Sequence, residues 1–91
     1  MKKCIHFMVE GLVQGVCYRA NAQRQAEILG ITGWIKNHSK GHVEVLACGE
    51  EDQIHAFHQW LWQGPRLSKV IKVTQQEEPY QEFSGFDIVY D

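Results

Sequence analysis

The segment Gly11-Leu12-Val13-Gln14-Gly15-Val16-Cys17-Tyr18-Arg19 joins an alternating apolar run to a helical one. A junction of that kind leaves backbone N–H groups without partners at the positive end of the helix macrodipole, which suits a phosphate-sized anion. Gly15 lets the main chain curl its amides inward. Arg19 adds a planar fork that takes two phosphoryl oxygens at once. The same residues also fit a tight turn followed by a surface arginine. Asn37, standing before a glycine-containing turn, is by itself an ordinary turn residue.

Such a loop can act only if a strand and a helix hold its ends. Ile5, Phe7 and Val9 alternate with His6 and Met8 up to Glu10-Gly11, the period of a half-buried strand. From Tyr18 the spacing changes: Tyr18, Ala22, Ala26 and Leu29 fall at i, i+4, i+8 and i+11. That is an amphipathic helix, stopped by Gly30 where a left-handed cap costs little, and its alanine-rich face lets it sit close to a sheet. Residues 33–36 read as a second strand, 37–41 as a turn and 42–48 as a third strand with Val43, Val45 and Ala47 on one face. Glu50, Glu51 and Asp52 suit the positive end of a second helix, which carries Ile54, Phe57, His58 and Leu61 on one stripe and ends at Gly64-Pro65. Residues 70–74 alternate as a fourth strand. A polar connection over residues 76–84 leads to Phe86, Ile88 and Tyr90, a short fifth.

This order predicts one domain over residues 1–91, an α+β, ferredoxin-like split β-α-β two-layer sandwich. Its sheet is mixed but mainly antiparallel, with two helices on one face. Strands 1 and 2 then run parallel with strand 3 between them, so the loop after the first and the turn after the second meet on one edge, about 9 to 10 Å apart. Any chemistry should gather there. The architecture hosts many unrelated activities, so it does not assign one.

Composition narrows the field. Ninety-one residues with 44% apolar and 22% charged side chains can bury roughly 60 to 65% of the unfolded surface, enough for a modest core. A net charge of -2 argues against a general nucleic-acid binder, which needs a concentrated basic face. An RNA binder of related topology would also need paired exposed aromatics, yet Phe7 faces the helices and the third strand has no aromatic residue. No apolar run approaches a secretory leader or a membrane span, and the expectation is a cytoplasmic monomer without a membrane partner.

The histidines and cysteines add less. His55 and His58, at i and i+3, could ligate a metal with His6, His38 or His42, but no cysteine or carboxylate spacing joins them, so no metal is expected. In the inferred sheet Cys4 and Cys48 share the face away from Phe7 and Val45, within possible reach of a cross-strand disulfide that a reducing cytosol disfavours. Cys17 is expected to be a buried or semi-buried loop thiol, with no histidine placed to activate it.

The pattern Gly11-x-Val13-Gln14-Gly15-Val16-x-x-Arg19, then Ala26-x-x-x-Gly30-x-x-Gly33-Trp34-x-x-Asn37-x-x-x-Gly41-x-Val43, resembles the signature of the acylphosphatases. Phe57, Trp60-Leu61, Gly64-Pro65 and the aromatic last strand extend the likeness over essentially the whole chain. It implies a cofactor-free, metal-independent enzyme that hydrolyses the carboxyl-phosphate bond of acyl phosphates, with the acyl phosphate and inorganic phosphate as its small-molecule partners. By motif position Arg19 would bind the phosphoryl group, Asn37 would orient the attacking water, and Gly15, Val16, Cys17, Tyr18 and Arg19 would form the cradle of donors. Trp34 reads as packing. Two departures lie beside the motif: Leu12 stands where relatives carry a basic or polar residue, and Glu10 brings a negative charge near the cradle.

Overall fold

Strand β1 (Lys2–Leu12) buries Ile5, Phe7 and Val9 on one face, as the alternation requires. It runs to Leu12 through an irregularity at Glu10/Gly11, where the pairing to β4 shifts register. Gly11 has φ 133°, and a Cβ there would collide with the carbonyl oxygen of Lys69. Only glycine fits that bulge, which shifts the pairing just before β1 gives way to the loop.

Helix α1 (Tyr18–Leu29) buries Tyr18, Ala22 and Ala26 and is closed by Gly30 at φ 76°, whose N–H reaches the carbonyls of Ala26 and Glu27. β2 (Thr32–Asn37) and β3 (Val43–Glu50) form a hairpin. α2 (Glu51–Gln63) follows, burying Ile54, Phe57 and Leu61. β4 (Lys69–Glu78) and β5 (Phe86–Val89) complete the order. The computed structural model describes residues 1–90.

The five strands make one sheet in the order β4-β1-β3-β2-β5. β1 pairs antiparallel with β3 and β4, β2 antiparallel with β3, and β5 parallel with β2. This is the expected split β-α-β sandwich, with β3 inserted between the parallel pair β1 and β2. Val43 is the register partner of both Val9 in β1 and Asn37 in β2.

The main core lies between the sheet and the helices. Phe7, Val9, Ile35, Val43, Val45 and Ala47 meet Ala22, Ala26, Phe57 and Leu61, all fully buried. Each large apolar side chain among them contributes roughly 1.5 to 3 kcal/mol of burial. On the opposite face Cys4, Leu46 and Cys48 form a smaller cluster with Trp34 and Phe83, so Trp34 packs within the fold. Cys4 and Cys48 are register partners, with Cα atoms 4.1 Å apart and sulfurs joined. The Gln81 N–H donates to Cys4 Sγ at 3.3 Å, tying the β4–β5 connection onto the pair.

Several boundaries differ from the sequence expectation. β4 continues to Glu78, consuming the start of the supposed polar connection, because an edge strand is held by its ladder to Cys4, Ile5 and His6 and needs no apolar alternation. Asn37 is the last residue of β2, where its backbone pairs with Val43; the turn begins after it. His42 precedes β3, which extends through Gly49 to Glu50.

Candidate active site

The loop after β1 and the start of α1 lie at the sheet edge where the C-terminal ends of β1 and β2 gather. Gly15 has φ 75° and is exposed. Cys17, the residue before the helix, has φ 62° and ψ 24°, the only non-glycine left-handed residue among those described. A left-handed conformation costs a side-chain-bearing residue on the order of 1 to 3 kcal/mol and gathers at functional sites. This position corrects the expectation of a buried or semi-buried thiol: Cys17 is exposed, because it belongs to the curl of the loop and not to the packed side of the helix.

No side chain caps the N-terminus of α1, and its first turn contains no acidic residue. The amides there are left to a ligand or to water. Arg19, in that first turn, is half-buried, and its guanidinium carbon lies 5.0 Å from the centroid of the exposed Tyr90 ring. Val13, Gly15, Cys17, Arg19, Ile88 and Tyr90 wall a cleft of about 310 Å³. Its floor is apolar and its rim carries the cation.

Tyr18 belongs to the loop only through its backbone. Its ring is 1% exposed, its hydroxyl donates to the Leu61 carbonyl at 2.6 Å, and burial pushes its phenol well above the ordinary value. The side chain therefore anchors the start of α1 onto the end of α2. Val16 packs at the margin of the main core, so it too can offer a ligand little but its main chain.

Asn37 is half-buried at the end of β2, and its Oδ1 is buried without a hydrogen-bond partner among the described residues. A buried amide oxygen left unpaired disfavours the fold by roughly 1 to 3 kcal/mol. Asn37 is not among the walls of the cleft around Arg19. Gln14 links the two regions: its Nε2 donates to the carbonyls of His38 and His42, each at 2.9 Å. No sequence motif in the turn itself betrays that link.

The departures beside the motif also have places. Glu10 Oε1 sits 3.7 Å from His42 Nε2, an ion pair when the imidazole is protonated, which turns part of its charge away from the cradle. Leu12 is exposed. The larger cavity of the molecule, about 460 Å³, lies at the other end of β3 beside Thr32, Cys48 and Glu50. Its one cation, Lys2, shares the lining with the carboxylates of Glu50 and Glu82, and no arginine reaches it, so the anion chemistry points to the smaller cleft. Among the described residues no group of three histidines, cysteines or carboxylates could hold a metal ion. No described helix is long and apolar enough to cross a membrane.

Fold and site together define a split β-α-β sandwich with an uncapped helix N-terminus beside an arginine. The acylphosphatase family model matches residues 5–88. An acylphosphatase of Vibrio parahaemolyticus is 45% identical over 87 residues, covering 96% of this chain and 97% of its own. The structure of an acylphosphatase from Coxiella burnetii superposes with a TM-score of 0.93 at 43% identity, covering 97% of this chain and 93% of that one. The crystal structure of acylphosphatase from Bacillus subtilis gives a TM-score of 0.93 at 35% identity, with 99% and 100% covered. The chain belongs to the acylphosphatase family, and a likeness over nearly its whole length supports acylphosphatase activity.

Proposed function

We propose that the chain hydrolyses the carboxyl-phosphate bond of acyl phosphates without a metal ion, using Arg19 and the backbone amides of residues 15–19 to hold the phosphoryl group and Asn37 to orient the attacking water. The water oxygen attacks phosphorus, the bond from phosphorus to the carboxyl oxygen breaks, and a substrate phosphoryl oxygen takes the proton. A carboxylate leaves as a stable anion, so no dedicated general acid is required. What remains is positioning and stabilisation of charge on the phosphoryl oxygens.

The observation that carries this reading is the start of α1, uncapped and free of acids, with Arg19 in its first turn. Free amides at a helix start beside a guanidinium suit one phosphate group. The half-buried Asn37 at the end of β2 supports the second half by its chemistry, since one uncharged amide carries both an acceptor for a water and a donor for a phosphoryl oxygen. Every residue invoked lies on one chain, so the reading needs no second subunit.

The test is the hydrolysis of benzoyl phosphate by the wild type and Asn37→Ala, with competitive inhibition by inorganic phosphate as the measure of the cradle. Asn37→Ala should lower kcat on the order of a hundredfold while changing phosphate inhibition little. A folded wild type that binds phosphate yet hydrolyses no faster than buffer would instead make the chain a non-catalytic anion-binding module.

A further inference from the structure

We propose that Gln14 is a positioning residue for the reaction, setting where Asn37 stands relative to the phosphate cradle; this rests on the water-orienting role given to Asn37. β1 and β2 share no ladder, because β3 lies between them. The loop that carries the cradle and the strand that carries Asn37 are therefore joined through the sheet only by way of β3. Gln14 supplies a direct connection across that gap.

Its geometry is specific. The turn after Asn37 is closed by the His38 N–H donating to the His42 carbonyl at 2.8 Å and the Gly41 N–H donating to the His38 carbonyl at 3.0 Å. The two carbonyls at the ends of that turn also receive the two amide hydrogens of Gln14, from residues 24 and 28 positions away. The His38 carbonyl then uses both lone pairs. The His38 and His42 rings stack with centroids 5.9 Å apart, and Glu10 faces His42, so the turn is held from the β1 side by side chain as well as by backbone.

Only an amide NH₂ offers two donors from one uncharged atom; a carboxylate offers none and a hydroxyl one. The Gln14 side chain is not among the walls of the cleft and is spent on the turn after Asn37, so its contribution passes through Asn37. Misplacing a reactive group by about 1 Å can lower a rate a hundredfold, and a loosened turn shifts its neighbour by a fraction of that.

The experiment measures benzoyl phosphate hydrolysis and phosphate inhibition for wild type, Gln14→Met, Gln14→Glu, Asn37→Ala and the double variant Gln14→Met/Asn37→Ala. Gln14→Met should lose about tenfold in kcat with the phosphate inhibition constant within about threefold of wild type. The double variant should be no slower than Asn37→Ala alone, because a residue acting through Asn37 has nothing left to position. Gln14→Glu should regain part of its loss as its carboxyl is protonated and recovers one donor. If Gln14→Met does not fold, Gln14→Glu with its carboxyl ionised, which keeps the shape and removes both donors, is read by the same criteria. Wild-type kcat in Gln14→Met beside a crippled Asn37→Ala overturns this inference alone, as do losses that multiply in the double variant. Wild-type kcat in Asn37→Ala overturns the water-orienting reading and this inference with it.

Discussion

α2 closes its own N-terminus with side chains, whereas α1 leaves the same kind of terminus open. Glu50 accepts from the backbone of Gln53 while Gln53 Oε1 accepts from the Glu50 N–H at 3.0 Å, and Glu51 and Asp52 place further negative charge in the first turn. A capping arrangement of that kind stabilises a helix by roughly 1 kcal/mol. α1 forgoes it, begins from a left-handed Cys17, and is held by the packing of Tyr18, Ala22 and Ala26. One short chain thus neutralises one helix dipole with its own carboxylates and keeps the other available beside an arginine. In the proposed function, the stability given up at α1 is the counterpart of a place for the phosphoryl group.

Four substitutions or conditions bear on that contrast. The largest effect is expected from Arg19→Ala, which should remove about 3 kcal/mol or more of transition-state stabilisation in benzoyl phosphate hydrolysis. Its melting temperature should stay close to wild type, since the half-buried guanidinium touches chiefly the exposed Tyr90. Ala20→Glu copies the acidic first turn of α2 onto α1 at an exposed position. It should raise thermal stability by roughly 0.3 to 1 kcal/mol through the macrodipole. The same charge, beside the cradle, should weaken phosphate inhibition about tenfold at low salt. Unchanged inhibition would mean that the open terminus of α1 is not where the anion sits.

The reciprocal change is Glu50→Ala, which opens α2. Thermal or urea unfolding should show a loss of roughly 1 kcal/mol with kcat unaltered. Smaller still is a pH effect inside α2. Burial, and then the charge of His55, hold the His58 imidazole below its ordinary value of 6.5, and its Nε2 is buried without a partner. The unfolded chain therefore binds this proton more readily than the folded one. Stability from the neutral imidazole is complete above pH 6.5 and declines as the pH falls toward the folded value. Melting temperatures measured across that range should fall more steeply for wild type than for His58→Gln, and parallel curves would remove His58 from the account.

Much of this was legible beforehand, and the exceptions share a cause. The alternation of Val43, Val45 and Ala47, and the helical spacing of Tyr18, Ala22 and Ala26, record burial directly, so strands, helices and topology followed. Arg19 and the glycine-bearing loop suggested an anion site by residue type, and Gly15 and Arg19 do line one cleft. The tail of β4 did not, because Gln75, Gln76, Glu77 and Glu78 are strand residues by virtue of partners in β1, and pairing leaves no mark on an exposed edge. The left-handed Cys17 was equally hidden, since no β-carbon-bearing residue announces a positive φ. Gln14 read as one letter of a loop; its partners are backbone carbonyls, which carry no identity in a sequence.

The placement of Val43, paired on one side with Val9 and on the other with Asn37, also orders events in time. Helices can form from neighbouring residues, but the two halves of the proposed catalytic edge come into register only after segments more than thirty positions apart have met across β3. Such non-local pairing is the slow part of folding for mixed sheets. Regained catalysis in a refolding experiment is then a late clock, one that starts to run only when the middle strand has found both of its neighbours.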